Sequence, residues 1–312
     1  MNGSMAHVAI DSGAPGLTAT LTDLFENHVY LAAAAVLEAK VTKSTTSPGF
    51  KAAAGALDSN TVDLSRAIAS VYGNAAGKQF LSLWRKHIGF FVDYAVGRLN
   101  GNTKQENKAK TDLMHYKKDF AAFLAKATGG NLPANAAAAS LQAHVNSLIQ
   151  VINSVIDGKG DPFALLYTAA NVHMPMTATA LAGAIATQKP SEFPGKVDSP
   201  GSQLNQTLTG LLDSHVYLAS FAVLEAKLTK STTSPGFKAA AGALDSNTVD
   251  LSRAIASVYG NAAGKQFLSL WRKHIGFFVD YAVGRLNGNT KQENKAKTDL
   301  MHYKKDFAAF LA

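Results

Sequence analysis

The sequence predicts an all-α fold, an up-and-down helical bundle in which one six-helix unit is followed by a partial, four-helix tandem copy. Three observations carry this. Alanine is abundant while only 9 of 312 residues are proline, a balance that favours helix. Apolar residues recur at three- and four-residue spacing between short breaks rich in glycine, proline and serine. The segment from Lys43 to Ala125 also returns without a change from Lys230 to Ala312.

In chain order, residues 1–17 lack a basic stretch ahead of an apolar core and read as a leader rather than a signal peptide. The complete unit is expected over 18–188. Its first helix runs from about Thr20 to Thr42 and ends at "KSTTSPGF". Ser47 caps the second helix, with Pro48 at its first position. "YGNAAG" breaks the chain into a third helix. After "LNGNTKQE", Thr103 and Glu106 are expected to form a capping box for the fourth. "TGGNLP" separates the fourth helix from the fifth. "DGKGDP" separates the fifth from the sixth, with Asp161 as cap and Pro162 at the first position. Residues 189–206, around "KPSEFPGKVDSPGS", read as a linker, and 207–312 as the partial second unit.

The repeat keeps a constant shift, so His28 answers to His215, Trp84 to Trp271, and His87 to His274. Exposed positions are as identical as buried ones, which points to recent duplication, gene conversion or engineering. Nothing answers a second time to the segment beginning "KATGGNLPANAAAASLQAHV". Four helices without that segment would expose an apolar surface, which predicts a homo-oligomer or a swapped contact.

Composition narrows the function. There is no cysteine, which removes disulfides, thiolate metal sites and cysteine nucleophiles. A net charge of +8 suits polyanions such as cell-wall polymers. The densest lysines, Lys104, Lys108, Lys110, Lys117 and Lys118, come with no nucleic-acid motif and read as a solvated face. No apolar run approaches the ~18 residues of a membrane span. The chain has no H-E-x-x-H, G-x-S-x-G, P-loop or G-x-G-x-x-G, and no nucleophile or acid–base pair stands out, so an enzyme is not expected.

The histidines are the informative residues. At 100° per residue, His28 is central to the stripe Leu21, Leu24, Phe25, Ala32, Ala35 and Val36. His87 is central to Phe80, Leu83, Trp84, Ile88, Phe91, Tyr94 and Ala95. On the fifth helix His144 shares a face with Ala137, Leu141, Val145, Leu148, Val151, Ile152 and Val155. On the sixth, His173 shares one with Leu165, Leu166, Ala169, Met176, Ala180 and Ala184. His115 misses the fourth-helix stripe of Leu113, Tyr116, Phe120 and Phe123 and is expected at the surface.

One buried imidazole is usually satisfied by a carbonyl or hydroxyl. Four at mid-helix height could meet in one layer, where each needs a partner. The candidate cofactor site is therefore His28, His87, His144 and His173, with His215 and His274 in the copy. A metal would be held by His87, His144, His173 and Met176, because thioether beside imidazole suits copper. Two facing histidines could instead ligate haem. Pro175, inside the sixth helix, should kink it beside His173. Arg98 lies in line with the buried stripe and either snorkels or holds an anionic group such as a propionate. A di-iron centre lacks support: no Glu-x-x-His spacing occurs, Asp93 faces away from His87, and Glu38 sits at a stripe edge.

The motifs "WRKHIGFFVDY", "SHVYLA", "LQAHVNSLI" and "HMPMTATALAGAI" resemble a family of exported helical-bundle proteins of Gram-positive and related bacteria, often labelled copper amine oxidase N-terminal-domain proteins. The matching positions are His28, Trp84, His87, Asp93, Tyr94, His144, His173, Met174 and Met176. The resemblance implies a secreted or cell-surface, non-catalytic module. The tyrosine-derived quinone setting and β-rich domain of copper amine oxidases do not occur in this chain. Two functions are thus expected as alternatives: an exported module holding a metal ion or haem, or a structural tandem-repeat protein without cofactor.

Overall fold

The structure, a computed structural model, describes residues 13–312. Residues 1–12 of the expected leader lie outside the described residues. All regular structure among the described residues is helical. The chain divides after Gly210 into unit 1 and unit 2.

Unit 1 contains α1 (Gly13–Thr42), α2 (Pro48–Tyr72), α3 (Asn74–Leu99), α4 (Thr103–Ala127) and α5 (Ala134–Asp157). The expected sixth helix follows as α6 (Pro162–Thr168), a π-turn (Ala169–His173) and α7 (Met174–Gln188). Unit 2 takes most of α8 (Pro200–Thr229), then α9 (Pro235–Leu286) and α10 (Thr290–Leu311). The α9 run holds two helices joined at Gly260.

The punctuation follows backbone chemistry. Ser47 accepts the Phe50 N–H, and Asp161 accepts the N–H groups of Phe163 and Ala164, so both caps stand where the sequence puts them. The expected Thr103–Glu106 box does not form. Asn102 is the cap and accepts the Gln105 N–H, because the chain leaves Gly101 at φ 63° and is already helical at Thr103. Glu106 instead turns inward toward Arg98, at 3.5 Å.

Two boundaries also move. The first helix begins at Gly13, not Thr20, with Ala14 and Leu17 buried and the Ala14 N–H bonded to the Pro194 carbonyl. Residues 13–17 of the expected leader are therefore core. The linker ends at Ser199, since Ser199 Oγ accepts the Ser202 N–H and Pro200 opens α8. Proline at a first position marked a helix start there, within a segment read as linker.

The core of unit 1 is built around α1, which touches α2, α3, α5, α6 and α7. It is buried on several sides, through Leu17, Leu21, Phe25, Val29, Tyr30 and Leu37 among others. A helix buried all round is apolar all round. That explains its copy α8, whose mean hydropathy of 1.2 over 18 residues is, among the described residues, enough by length and composition to cross a membrane.

Gly73 separates α2 from α3 at φ 85°, ψ 165°, a conformation essentially restricted to glycine. Gly73→Ala should therefore cost unit 1 about 1–3 kcal/mol. Hydrogen exchange checks this, because the substituted peptide differs in mass from its copy around Gly260. Faster exchange confined to the substituted segment is the expected result, with the copy unchanged.

Candidate metal centre

Three of the four expected histidines meet. Their ligand nitrogens, from His28 on α1, His87 on α3 and His144 on α5, all lie within 4.8 Å of one another. All three residues are buried. The periodicity that put each imidazole mid-stripe on its own helix accounts for this, since adjacent helices of a bundle bring mid-helix positions to one height.

The hydrogen-bond order can be read from one donor. An indole nitrogen only donates, and Trp84 Nε1 donates to His28 Nδ1 at 3.3 Å. The proton of neutral His28 therefore sits on Nε2, facing His87 Nε2 at 3.3 Å. The lone pair of His87 Nε2 accepts it, which leaves the His87 proton on Nδ1. That Nδ1 lies beside the Trp84 carbonyl of its own helix but forms no well-aligned hydrogen bond. His144 has neither nitrogen bonded.

Aromatic rings close the layer. Tyr116 stacks on His87 at 5.1 Å, Trp84 meets it edge-on at 4.5 Å, and Phe91 meets His144 at 6.1 Å. The Tyr116 hydroxyl is buried without a partner, and burial pushes its pKa well above the usual value. Burial also keeps the imidazoles neutral. The pKa of His28 is lowered to about 3 by burial and then by His144. That of His144 is lowered to about 4 by burial and then by His173. His87 is held well below 6.5 by burial and by both neighbouring histidines. Neutral imidazoles offer lone pairs, the form a metal requires.

His173 and Met176 do not join the layer. His173 is half-buried, close enough to influence His144 but outside the three-histidine group, and Met176 is 67% exposed. The cause is the π-turn at Ala169–His173, which adds a residue to one turn and rotates everything after it. The buried face passes from Ala169 and Ala170 to Met174, Ala178, Leu181 and Ile185. Pro175 sits just beyond, so the break expected of it takes this form. Met174, not Met176, lines a cavity of about 80 Å³ together with His144.

Arg98 is neither a snorkelling side chain nor an anchor for a free anion. Its guanidinium bonds both oxygens of Asp157, at 3.2 and 2.6 Å, tying α3 to the end of α5. His115 and Asp93 are exposed, as expected. Trp84 and Tyr116 were legible as stripe residues but not as partners of the histidines. The available signal was the indole N–H, which needs an acceptor when buried.

Unit 2 repeats half of this arrangement. Trp271 donates to His215 Nδ1 at 3.2 Å, and the His215 and His274 Nε2 atoms are 3.3 Å apart. Burial lowers both pKa values to about 4. No protein-family model, curated protein or solved structure matches the chain.

The lowered histidine pKa values set an acid limit on unit 1. The unfolded chain binds protons near pH 6.5, whereas the folded layer resists them down to about 3–4. Stability contributed by the neutral layer is thus complete above pH 6.5 and lost as pH falls toward 4. The slope per histidine is about 1.4 kcal/mol per pH unit. In a Trp271→Phe background, Trp84 emission reports unit 1 alone. Its urea midpoint should fall steadily from pH 6.5 to 4, and a flat profile would refute the neutral layer.

Proposed function

We propose that unit 1 is a non-catalytic binding module that holds a divalent first-row transition-metal ion through His28, His87 and His144. The observation that carries it is His144, a buried imidazole with both nitrogens unbonded, beside two others whose ligand atoms lie within 4.8 Å. An unsatisfied buried polar group costs roughly 1–3 kcal/mol. A ligated ion would offset that cost.

The spacing supports an ion. Two nitrogens bound tetrahedrally at zinc-like distances stand about 3.3 Å apart, and His28 and His87 Nε2 are 3.3 Å apart. Three imidazoles suit zinc, copper or nickel. Met174 lines the cavity beside His144 from which a fourth donor or a water would come. Haem fits less well. Axial nitrogens on opposite sides of a haem iron are about 4 Å apart with the macrocycle between them. The cavities adjoining His28 and His144 hold about 50 and 80 Å³.

The alternative is a structural tandem-repeat protein without cofactor. It draws on the verbatim repeat and on the Trp84–His28–His87 chain, which satisfies most of two imidazoles with no ion. In either case the resemblance supports a secreted or cell-surface setting.

Elemental analysis and calorimetric titration with Zn(II) and Cu(II) decide between the two. One ion per chain is expected, with affinity lowered at least 100-fold by His144→Ala and unchanged by His115→Ala. Uptake should also shift Trp84 emission, because an ion on His28 Nε2 drives its proton to Nδ1 and breaks the indole bond. Absence of stoichiometric uptake would leave the structural reading.

A further inference from the structure

The repeat is an internal control on burial. Residues 43–125 and 230–312 are identical, yet the described residues of unit 2 include no second α5–α7 segment. Phe91 is 8% exposed and its copy Phe278 is 53% exposed. Val29 on α1 is fully buried, while Val216 at the matching place on α8 is 63% exposed. What covers Phe91 and Val29 in unit 1 is therefore what unit 2 leaves open.

The polar groups on this face identify the missing element. In unit 1 the Tyr94 hydroxyl donates to Asn153 Oδ1 at 2.7 Å, Lys117 donates to Gln142 at 2.7 Å, and Arg98 grips Asp157. All three acceptors are on α5, together with His144. Their donors recur in unit 2 as Tyr281, Lys304 and Arg285. Arg285 keeps only Glu293, at 3.6 Å, and its side chain is 67% exposed. His215 and His274 stand as a pair beside the same face.

We infer that the open face of unit 2 is an acceptor for a helical hairpin of the α5–α7 type, whose histidine completes a second three-histidine layer. The incoming helix must carry the Gln142, His144, Asn153 and Asp157 pattern around an apolar stripe like that of Leu141 and Leu148. The docking rests on burial and pairing alone. Only the ion in the second layer rests on the proposed metal binding.

The test adds a labelled polypeptide of residues 128–188 to the full chain. Saturable one-to-one binding is expected, weakened at least tenfold by Phe278→Asp or Val216→Asp, two exposed sites whose substitution leaves the fold intact. In a Trp84→Phe background, docking should blue-shift Trp271 emission. A chain with residues 126–188 repeated after Ala312 should show the same shift without requiring the free polypeptide to fold. Binding indifferent to both substitutions, or no shift in the extended chain, overturns the proposal. Dimers of the chain dispersed by Phe278→Asp that exclude the polypeptide also overturn it, by assigning the face to a second copy. A blue shift with no second ion taken up upholds the docking and removes only the metal in the second layer.

Discussion

The contact on which the rest depends is the indole-to-imidazole bond between Trp84 and His28, continued to His87. It joins α1 to α3 at one height, and Asn60 on α2 adds a second tie one turn away by donating to the Leu24 carbonyl at 3.0 Å. A bundle held only by greasy stripes could slide by a turn, since apolar contacts are not directional. Buried polar pairs cannot slide without leaving a donor or acceptor unmet. The copy keeps this tie. Trp271, His215, His274 and Asn247 reproduce the same bonds although the face beside them is open. The three-helix arrangement therefore sets the histidine pair, and α5 arrives at a site already half built.

What α5–α7 adds is coverage and a third imidazole. Identical residues have different exposures in the two units, so sequence alone does not fix their burial. His28 is 1% exposed while His215 is half-buried, and both carry depressed pKa values because each imidazole still sits among apolar rings. Coverage also converts surface charge into a tether. Arg98 spans α3, α4 and α5 through Glu106 and Asp157, whereas Arg285 in the copy reaches α10 alone.

Much of this was legible in the sequence, and the exceptions share a cause. The stripes on α3, α4 and α5 follow an uninterrupted helical period, and His87, Tyr116 and His144 fall where that period puts them. The sixth helix breaks the period. A π-turn leaves no mark on composition, and projection at 100° per residue places His173 and Met176 inward, whereas the chain leaves His173 half-buried outside the layer and Met176 exposed. The Asn102 cap was missed because a Thr-x-x-Glu pattern one residue later looked sufficient. Arg98 was placed correctly but its partner was not, since Asp157 is remote in sequence and pairing across helices has no local signal. The start of α1 was missed because the glycine and proline at 13, 15 and 16 read as a break, and the tie there, from the Ala14 N–H to the Pro194 carbonyl, is remote in sequence.

The protonation pattern of the layer would have to change if an ion were held as proposed. A neutral imidazole has one donor and one acceptor. His28 commits both, to Trp84 and to His87, and His87 commits its acceptor in turn. The His87 Nδ1 proton finds no well-aligned acceptor, and His144 lies outside the chain with neither nitrogen bonded. An ion held as proposed would need the lone pair of His28 Nε2, so the His28 proton would have to lie on Nδ1, and the Trp84 N–H would lose its acceptor. The layer has one set of partners as it stands, and the proposed ion would impose another by moving one proton across His28.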